Sequence, residues 1–345
     1  MAPIPPTGYG GVERTIAEFA EALRVAGHEV TIVHEVRRGR ATDEYRFALH
    51  LARRLRTVEF DVLHASTPVV ANRLAWAQEP FVYTTHSRHW FERTGLTQRF
   101  GFWLERRAVR SAVATVALTG RLASQVRSVM GTRAPGRMEV IPLGVDAARF
   151  QPDWTRRTGQ RALGVGVVRP FKRWEVAARA LRGTGFALTI VGPTPDPDYA
   201  RRVVTSGDRV ELAGEVDEAT LTRLYAESDL LVHPSRVELL AGVVLQGLSA
   251  GLPTLGAEPV AELLEEGRTG FASPAGADDA TIEATFHRAA EQLSHSPELR
   301  RTMGAAARES ALARFSWTSV VDQHLKLYRE LRAAGALNRR RAPSP

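Results

Sequence analysis

Three kinds of side chain in this sequence stand where chemistry could be done. They are a pair of cations in one loop, a single carboxylate in another, and a histidine at the end of a strand. The carboxylate is Glu238, in the stretch LVHPSRVELLAGVVLQG from Leu231 to Gly247. An apolar strand end (230–233) meets Pro234 and Ser235, a polar turn carries Arg236 and Glu238, and an apolar helical run follows Gly242. Helix N-terminal amides at Leu239, Leu240, Ala241 and Gly242 would suit phosphate, and a carboxylate would take hydrogen bonds from hydroxyls. An ordinary strand–loop–helix connection with a solvated glutamate fits the same letters, so both readings stand at this point. The cations are Arg169 and Lys172, in the loop after a small-residue strand. The histidine is His86, directly after FVYTT, at the edge where open α/β sheets bind ligands. Gly10 and Gly11 precede a helix start, where backbone can come close to a ligand; equally, they permit a tight turn.

The elements that must position these residues follow from periodicity. Residues 1–11 (MAPIPPTGYGG) read as loop, and Val12, Ile16, Ala20 and Leu23 as a helix that stops at Gly27. Residues 30–34 are predicted to form a buried strand and 45–56 a basic amphipathic helix. Further strands are expected in FDVLHAST ending at Thr67, at 81–85, at 115–118 and at 138–142, with a helix over 69–77. The segment RFGFWLERRAVR (99–110) sets Phe100, Phe102 and Trp103 beside four arginines. It is either a helix with its apolar face in the core or an interfacial helix resting on an anionic membrane. A Rossmann-like half opens with a strand before its glycine loop. None precedes Gly10, so either this half lacks its first strand or, as expected, that strand lies upstream of this start, by truncation or a mis-set start.

In the C-terminal half, strands are predicted at 162–168, 186–191, 209–213, 230–233 and 253–256. Helices are predicted at 174–181, 196–204, 217–228 (capped by Asp217), from Thr281 onward, and finally at 317–334, before a frayed tail. Strand and helix alternate without hairpin turns, which predicts doubly wound parallel sheets. The expected division is an N-terminal domain over 1–155, a C-terminal domain over 156–316, and a helix over 317–335 packing back on the first. Two such halves predict a nucleotide-linked substrate held in a cleft between them.

Length sets two domains rather than one: 345 residues can bury two cores. The charge of +8 favours anionic partners, namely nucleotide phosphates, an anionic lipid surface or nucleic acid; an arginine-rich genome would give the same excess. With no cysteines, disulfides and thiolate metal sites are excluded and a reducing cytoplasm is the expected location. No apolar run approaches membrane-spanning length, although attachment at the inner face of a membrane stays open. Neither half carries GxGxxG with an acid at dinucleotide spacing, so a dehydrogenase is disfavoured.

Taken in order, these segments resemble the glycosyltransferases of family 4, the retaining group with the two-Rossmann GT-B fold. The resemblance rests on GGVERTIAEFAEALRVAGHEVTIV, IPLGVDAARFQP, the Lys172 loop, LTIVGP, VELAGEV, ESDLLVHPSRVE with SAGLPTLG, EEGRTGF, and the final FSW-led helix. It covers almost the whole chain. It implies that Glu238 holds donor-sugar hydroxyls, that Lys172 meets the donor phosphates, and that His86 lies near the reacting sugar. Gly10 and Gly11 match the family's glycine pair close to the donor phosphates or acceptor, and Glu262 matches a family glutamate. The family's ribose-binding acid falls on Gln246, which keeps hydrogen bonding without the charge. Its arginine falls on Val167, which leaves Arg169 to replace it.

The activity so implied is hexosyl transfer from a nucleotide sugar to an acceptor hydroxyl, with the departing phosphate taking the acceptor's proton on the same face. It needs no cofactor and no metal. The partners implied are the donor and a sugar, lipid-linked or small-molecule acceptor, with no nucleic acid and with peripheral contact to an anionic membrane left open. Two rivals remain: a non-catalytic GT-B relative serving as a binding or scaffold subunit, and a sugar-nucleotide epimerase. His28 and His64 read as packing or surface histidines. His233 and Arg236 read equally as site residues or as a satisfied strand end and a solvated loop cation.

Overall fold

A computed structural model describes residues 11–33, 51, 55, 58–86, 95–131, 136–238 and 242–337. The chain forms two compact units, one of residues 1–143 with 320–345 and the other of residues 144–319. Each is an α/β unit built on a parallel sheet.

In the first unit four strands stand in chain order, β1 (His64–Ala65), β2 (Val82–Thr85), β3 (Ala114–Ala117) and β4 (Arg137–Val140). β2 and β3 are buried at every position, as a parallel sheet covered on both faces requires. Helix α1 spans Gly11–Val25. α2 (Pro68–Trp76) starts where Thr67 accepts a hydrogen bond from the Val70 amide at 3.4 Å, with proline at the first helical position. α3 spans Leu96–Ser111, and α4 (Gly120–Met130) is capped by Thr119. Ala71, Leu74, Phe81, Tyr83, Val109, Val126 and Met130 close the core, joined by Leu51 and Leu55 one helical turn apart.

The strand expected at 30–34 is not found over residues 30–33, which have no ladder partner among the described residues and are half-buried or exposed; His34 lies outside the described residues. Its β-branched letters promised burial, but a strand exists only where a neighbour supplies a ladder, and here Val33 merely packs against the core. FDVLHAST keeps only the two residues of β1 as a strand, paired among the described residues with β2. The rest of the helix expected at 45–56 lies outside the described residues.

The second unit holds a six-stranded parallel sheet of order β10-β9-β8-β5-β6-β7. Its strands are β5 (Arg161–Val165), β6 (Ala187–Val191), β7 (Val210–Gly214), β8 (Leu230–His233), β9 (Thr254–Gly256) and β10 (Gly270–Ala272). Helices α5 (Trp174–Ala180), α6 (Pro197–Thr205), α7 (Glu218–Glu227), α8 (Gly242–Ser249), α9 (Asp279–His295) and α10 (Pro297–Phe315) connect and cover it. Asp196, Asp217 and Asp278 each cap the helix that follows by accepting an amide three residues on. Trp174 is fully buried over Gly164, where a Cβ would stand 2.7 Å from the indole. α11 (Trp317–Ala333) returns to the first unit from residue 320 and buries Val320, Val321, Leu327, Tyr328 and Leu331. It is fastened there by Arg332 to Asp61 at 3.2 Å and by Tyr328 Oη to His64 Nδ1 at 2.5 Å.

Candidate functional site

The chain leaves β5 toward β6 on one side of the second sheet and later returns through β8 on the other side. β5 and β8 are therefore neighbours whose following connections diverge, the topological switch point at which open α/β sheets bind ligands. The two loops there are those that carry Lys172 and Glu238.

The first loop is built by geometry around glycine and a tight turn. Gly166 has φ +146°, and a Cβ on it would stand 3.3 Å from Cε of Lys172, so its bare backbone lets the lysine stem lie across it. Gly192, at φ +148°, presses so close that a Cβ there would meet the Gly166 carbonyl oxygen at 2.4 Å. A short 3₁₀ turn, Pro170–Lys172, ends at Arg173 in the left-handed region (φ 55°). Arg173 ion-pairs with Asp279 at 2.9 Å. The amide of Arg236 donates to the carbonyl of Phe171 at 2.8 Å, so the backbone itself joins the Lys172 loop to the Glu238 loop.

On that frame three side chains converge. Lys172 Nζ lies 3.1 Å from Glu238 Oε2, and His233 Nε2 lies 2.9 Å from the same oxygen. His233 ends the buried strand β8, and its side chain is 1% exposed against 13% for Lys172 and 15% for Glu238, so histidine is the floor and the ion pair the accessible layer. Burial by itself raises the Glu238 carboxyl; the His233 hydrogen bond and charge, then the Lys172 charge, outweigh it and hold the group well below the usual carboxylate range. Glu238 is thus an anion at any physiological pH, and the Lys172 ammonium beside it is a cation that a stronger anion could draw away. Ser235 Oγ closes the turn on the Val237 carbonyl at 2.7 Å.

Other expected residues are placed as follows. Gly242 opens α8 and Gln246 sits one turn further, both half-buried; Leu239, Leu240 and Ala241 lie outside the described residues. Arg169 is exposed in the Lys172 loop, while Val167 turns its carbonyl to Trp174 Nε1 at 3.1 Å. Glu262 is exposed on a 3₁₀ turn (Glu258–Leu263). Arg236 is exposed and stands 3.9 Å from Asp279. Gly11 is the first residue of α1, and Gly10 lies outside the described residues.

In the first unit, His86 follows β2, and its Nδ1 is buried without a hydrogen-bond partner among the described residues. Burial lowers its pKa to about 4, so at neutral pH it is an uncharged imidazole. His64, expected as packing, is indeed fixed inside the fold, between Tyr328 Oη and Thr84 Oγ1 (2.6 Å). His28 is exposed.

Sequence reasoning left His233 undecided because a histidine before proline at a strand end has no pattern of its own. The signal was its spacing of five residues from Glu238 at the close of a buried strand.

No cluster of three His, Cys, Asp or Glu side chains that could hold a metal ion exists among the described residues. The triplet Asp196-Pro197-Asp198 places two carboxylates near each other in sequence, but they are separately engaged. Asp196 caps α6 through the Tyr199 amide at 2.9 Å, and Asp198 pairs with Arg201.

Residues 9–149 match the description Glycosyltransferase Family 4, and residues 170–290 match Glycosyl transferases group 1. An alpha-maltose-1-phosphate synthase of Mycolicibacterium smegmatis is 25% identical over 287 residues, 74% of each chain. An alpha-D-kanosaminyltransferase of Streptomyces kanamyceticus is 28% identical over 280 residues, 73% of this chain and 71% of the relative. Among solved structures, sucrose-phosphate synthase from Thermosynechococcus elongatus superposes with a TM-score of 0.73 at 19% identity, covering 94% of both chains. HepE from Anabaena in complex with UDP and glucose superposes with a TM-score of 0.70 at 18% identity, covering 93% of this chain and 96% of its own.

Proposed function

The chain belongs to glycosyltransferase family 4, with the GT-B fold and the enzymatic activity of nucleotide-sugar-dependent hexosyl transfer, and from that membership we propose a retaining, phosphate-assisted mechanism centred on Lys172 and Glu238. In this reading the unit of residues 144–319 binds the donor and the unit of residues 1–143 with 320–345 binds the acceptor.

The observation that carries the proposal is the oxygen shared by Lys172 and His233 at the switch point. A donor diphosphate draws Lys172 away from Glu238, because two phosphates offer more negative charge than one carboxylate. Glu238 stays anchored by His233 and turns its freed valence to hydroxyls of the donor sugar. Arg169 adds a second cation, and the α8 N-terminus with Leu239, Leu240 and Ala241 supplies backbone amides. Gln246 reaches the ribose, while Gly10 and Gly11 bring bare backbone to the donor phosphates or the acceptor.

The bond between the anomeric carbon and the phosphate oxygen breaks as charge gathers on the diphosphate. The acceptor oxygen forms its bond to the same carbon on the same face, and its proton passes to the departing phosphate oxygen. A nucleoside diphosphate and a glycoside result, and no protein nucleophile is consumed. Lys172 stabilises the leaving charge, an effect worth about 3–4 kcal/mol for one lost donor. His86, uncharged, is suited to accept or donate a hydrogen bond at the reacting sugar. With the phosphate charge met by protein cations, transfer proceeds without an added metal, and full activity in EDTA is the expected result. A lipid-linked acceptor and peripheral contact with an anionic membrane belong to the same reading.

The test is transfer across a panel of nucleotide sugars, with the anomeric configuration of the product read by NMR. Retention, together with loss of turnover in Lys172→Ala and Glu238→Ala, supports the mechanism. Inversion, or an epimerised donor as product, rejects it.

A further inference from the structure

The solvent face of α3 carries an arrangement that the transfer reaction does not use. At 100° per residue, Leu96, Arg99, Phe100, Trp103, Arg107 and Arg110 fall within one stripe about 100° wide. Leu96 is 84% exposed, Phe100 49% and Trp103 51%, and the three arginines are exposed as well. The opposite stripe, with Leu104, Ala108 and Val109, is buried. The aliphatic face therefore satisfies the core, and the large apolar side chains outside it are not remnants of core packing. Phe100 and Trp103 stack at 5.8 Å with rings 18° apart, and Arg107 lies 5.8 Å over Trp103. Beside the stack opens a cavity of about 630 Å³ lined by Phe102, Trp103, Arg106, Arg107, Arg110 and Ser111. The helix's single acid, Glu105, is fully buried, where it accepts hydrogen bonds from Tyr83 Oη at 2.6 Å and Thr85 Oγ1 at 2.7 Å. No negative charge of α3 thus reaches its outer face.

We propose that this face of α3 docks on the surface of an anionic lipid bilayer, with Leu96, Phe100 and Trp103 at the headgroup–acyl boundary and the arginines on lipid phosphates. A bilayer surface rewards both classes of side chain at one depth: apolar rings enter the boundary while arginine stems keep their charges at the headgroups. With Glu105 turned inward, the face is cationic along its whole length, which is the complement of an anionic headgroup layer. Among the described residues no helix is long and apolar enough to cross a membrane, so the contact is peripheral. The inference concerns α3 alone, and donor turnover is a separate readout from vesicle binding.

The experiment is co-sedimentation of the full chain with phosphatidylcholine vesicles, with and without about 30% phosphatidylglycerol, at low and high salt. Binding to the anionic vesicles only, weakened by salt, is expected. It should fall more than tenfold in Phe100→Ser/Trp103→Ser and in Arg99→Glu/Arg107→Glu, with melting temperature and hydrolysis of a soluble nucleotide sugar retained. Vesicle binding unchanged in both folded variants would overturn the proposal. So would a wild-type chain that ignores anionic vesicles but is retained on polyglutamate or DNA.

Discussion

His233 Nε2 stands 2.9 Å from the Glu238 oxygen that Lys172 also reaches, and because His233 is buried at the end of β8 it fixes where that carboxylate points. Hydrogen bonds to a charged group contribute about 1.5–3 kcal/mol. His233→Leu is therefore expected to lower kcat/KM for the donor by about 10- to 100-fold. His233→Gln, which keeps a donor at similar reach, should recover most of that loss. Equal damage from both variants would mean that packing, not the hydrogen bond, sets the role of His233.

Gln246 lies one turn into α8, where the charge-assisted part of a bond to a ribose is missing. Gln246→Glu should lower the donor KM by about fivefold, a gain near 1 kcal/mol, with little change in kcat. Steady-state kinetics on the preferred donor checks this; a KM that rises would place the ribose elsewhere.

Gly192 allows the β6 end to touch the Lys172 loop, at φ +148° and with a virtual Cβ only 2.4 Å from the Gly166 carbonyl oxygen. Gly192→Ala forces both backbone strain and a clash that no rotamer relieves. A stability loss of at least about 2 kcal/mol in denaturant unfolding is expected, with donor turnover reduced in the remaining folded protein.

The histidines inside the first unit set an acid limit. Burial lowers the pKa of His324 to about 4, and burial together with His324 and His86 lowers that of His64 well below its ordinary value. An unfolded chain takes up these protons near pH 6.5, whereas the folded chain refuses them until the pH is much lower. Stability is therefore complete above pH 6.5 and falls as the pH drops from 6.5 toward 4. His324 alone contributes a loss of about 2 kcal/mol by pH 5. Urea unfolding at pH 7.5 and pH 5 measures the loss, and His324→Phe should flatten part of the slope. The docking of α11 through Tyr328 and His64 is expected to loosen first, since those are the contacts that protonation disturbs.

The second unit was the more legible in sequence, because β6 and β8 are apolar runs and three of its helices begin at aspartates that serve as caps in the structure. The segments at 186–191 and 230–233 and the cap at Asp217 were recognisable from letters alone. Where burial depends on partners rather than letters, the sequence misled: residues 30–33 have strand letters and no ladder among the described residues. Gly270–Ala272, a three-residue edge strand, was too short to show a period. On α3 the arginine-rich letters left two readings open; the structure turns the aliphatic residues into the core and leaves Phe100 and Trp103 exposed. The Lys172–Glu238 meeting spans 66 residues, so only the sheet order could reveal it, and His233 joins them by a strand end whose direction no periodicity encodes.

The most direct test of the donor site is turnover of the preferred nucleotide sugar by wild type, Lys172→Ala and Glu238→Ala, with thermal melting as the control for folding. The predicted result is a loss of at least about 100-fold in each variant, with melting temperatures near that of the wild type. Undiminished turnover in both variants would contradict the assignment of Lys172 and Glu238 to the donor.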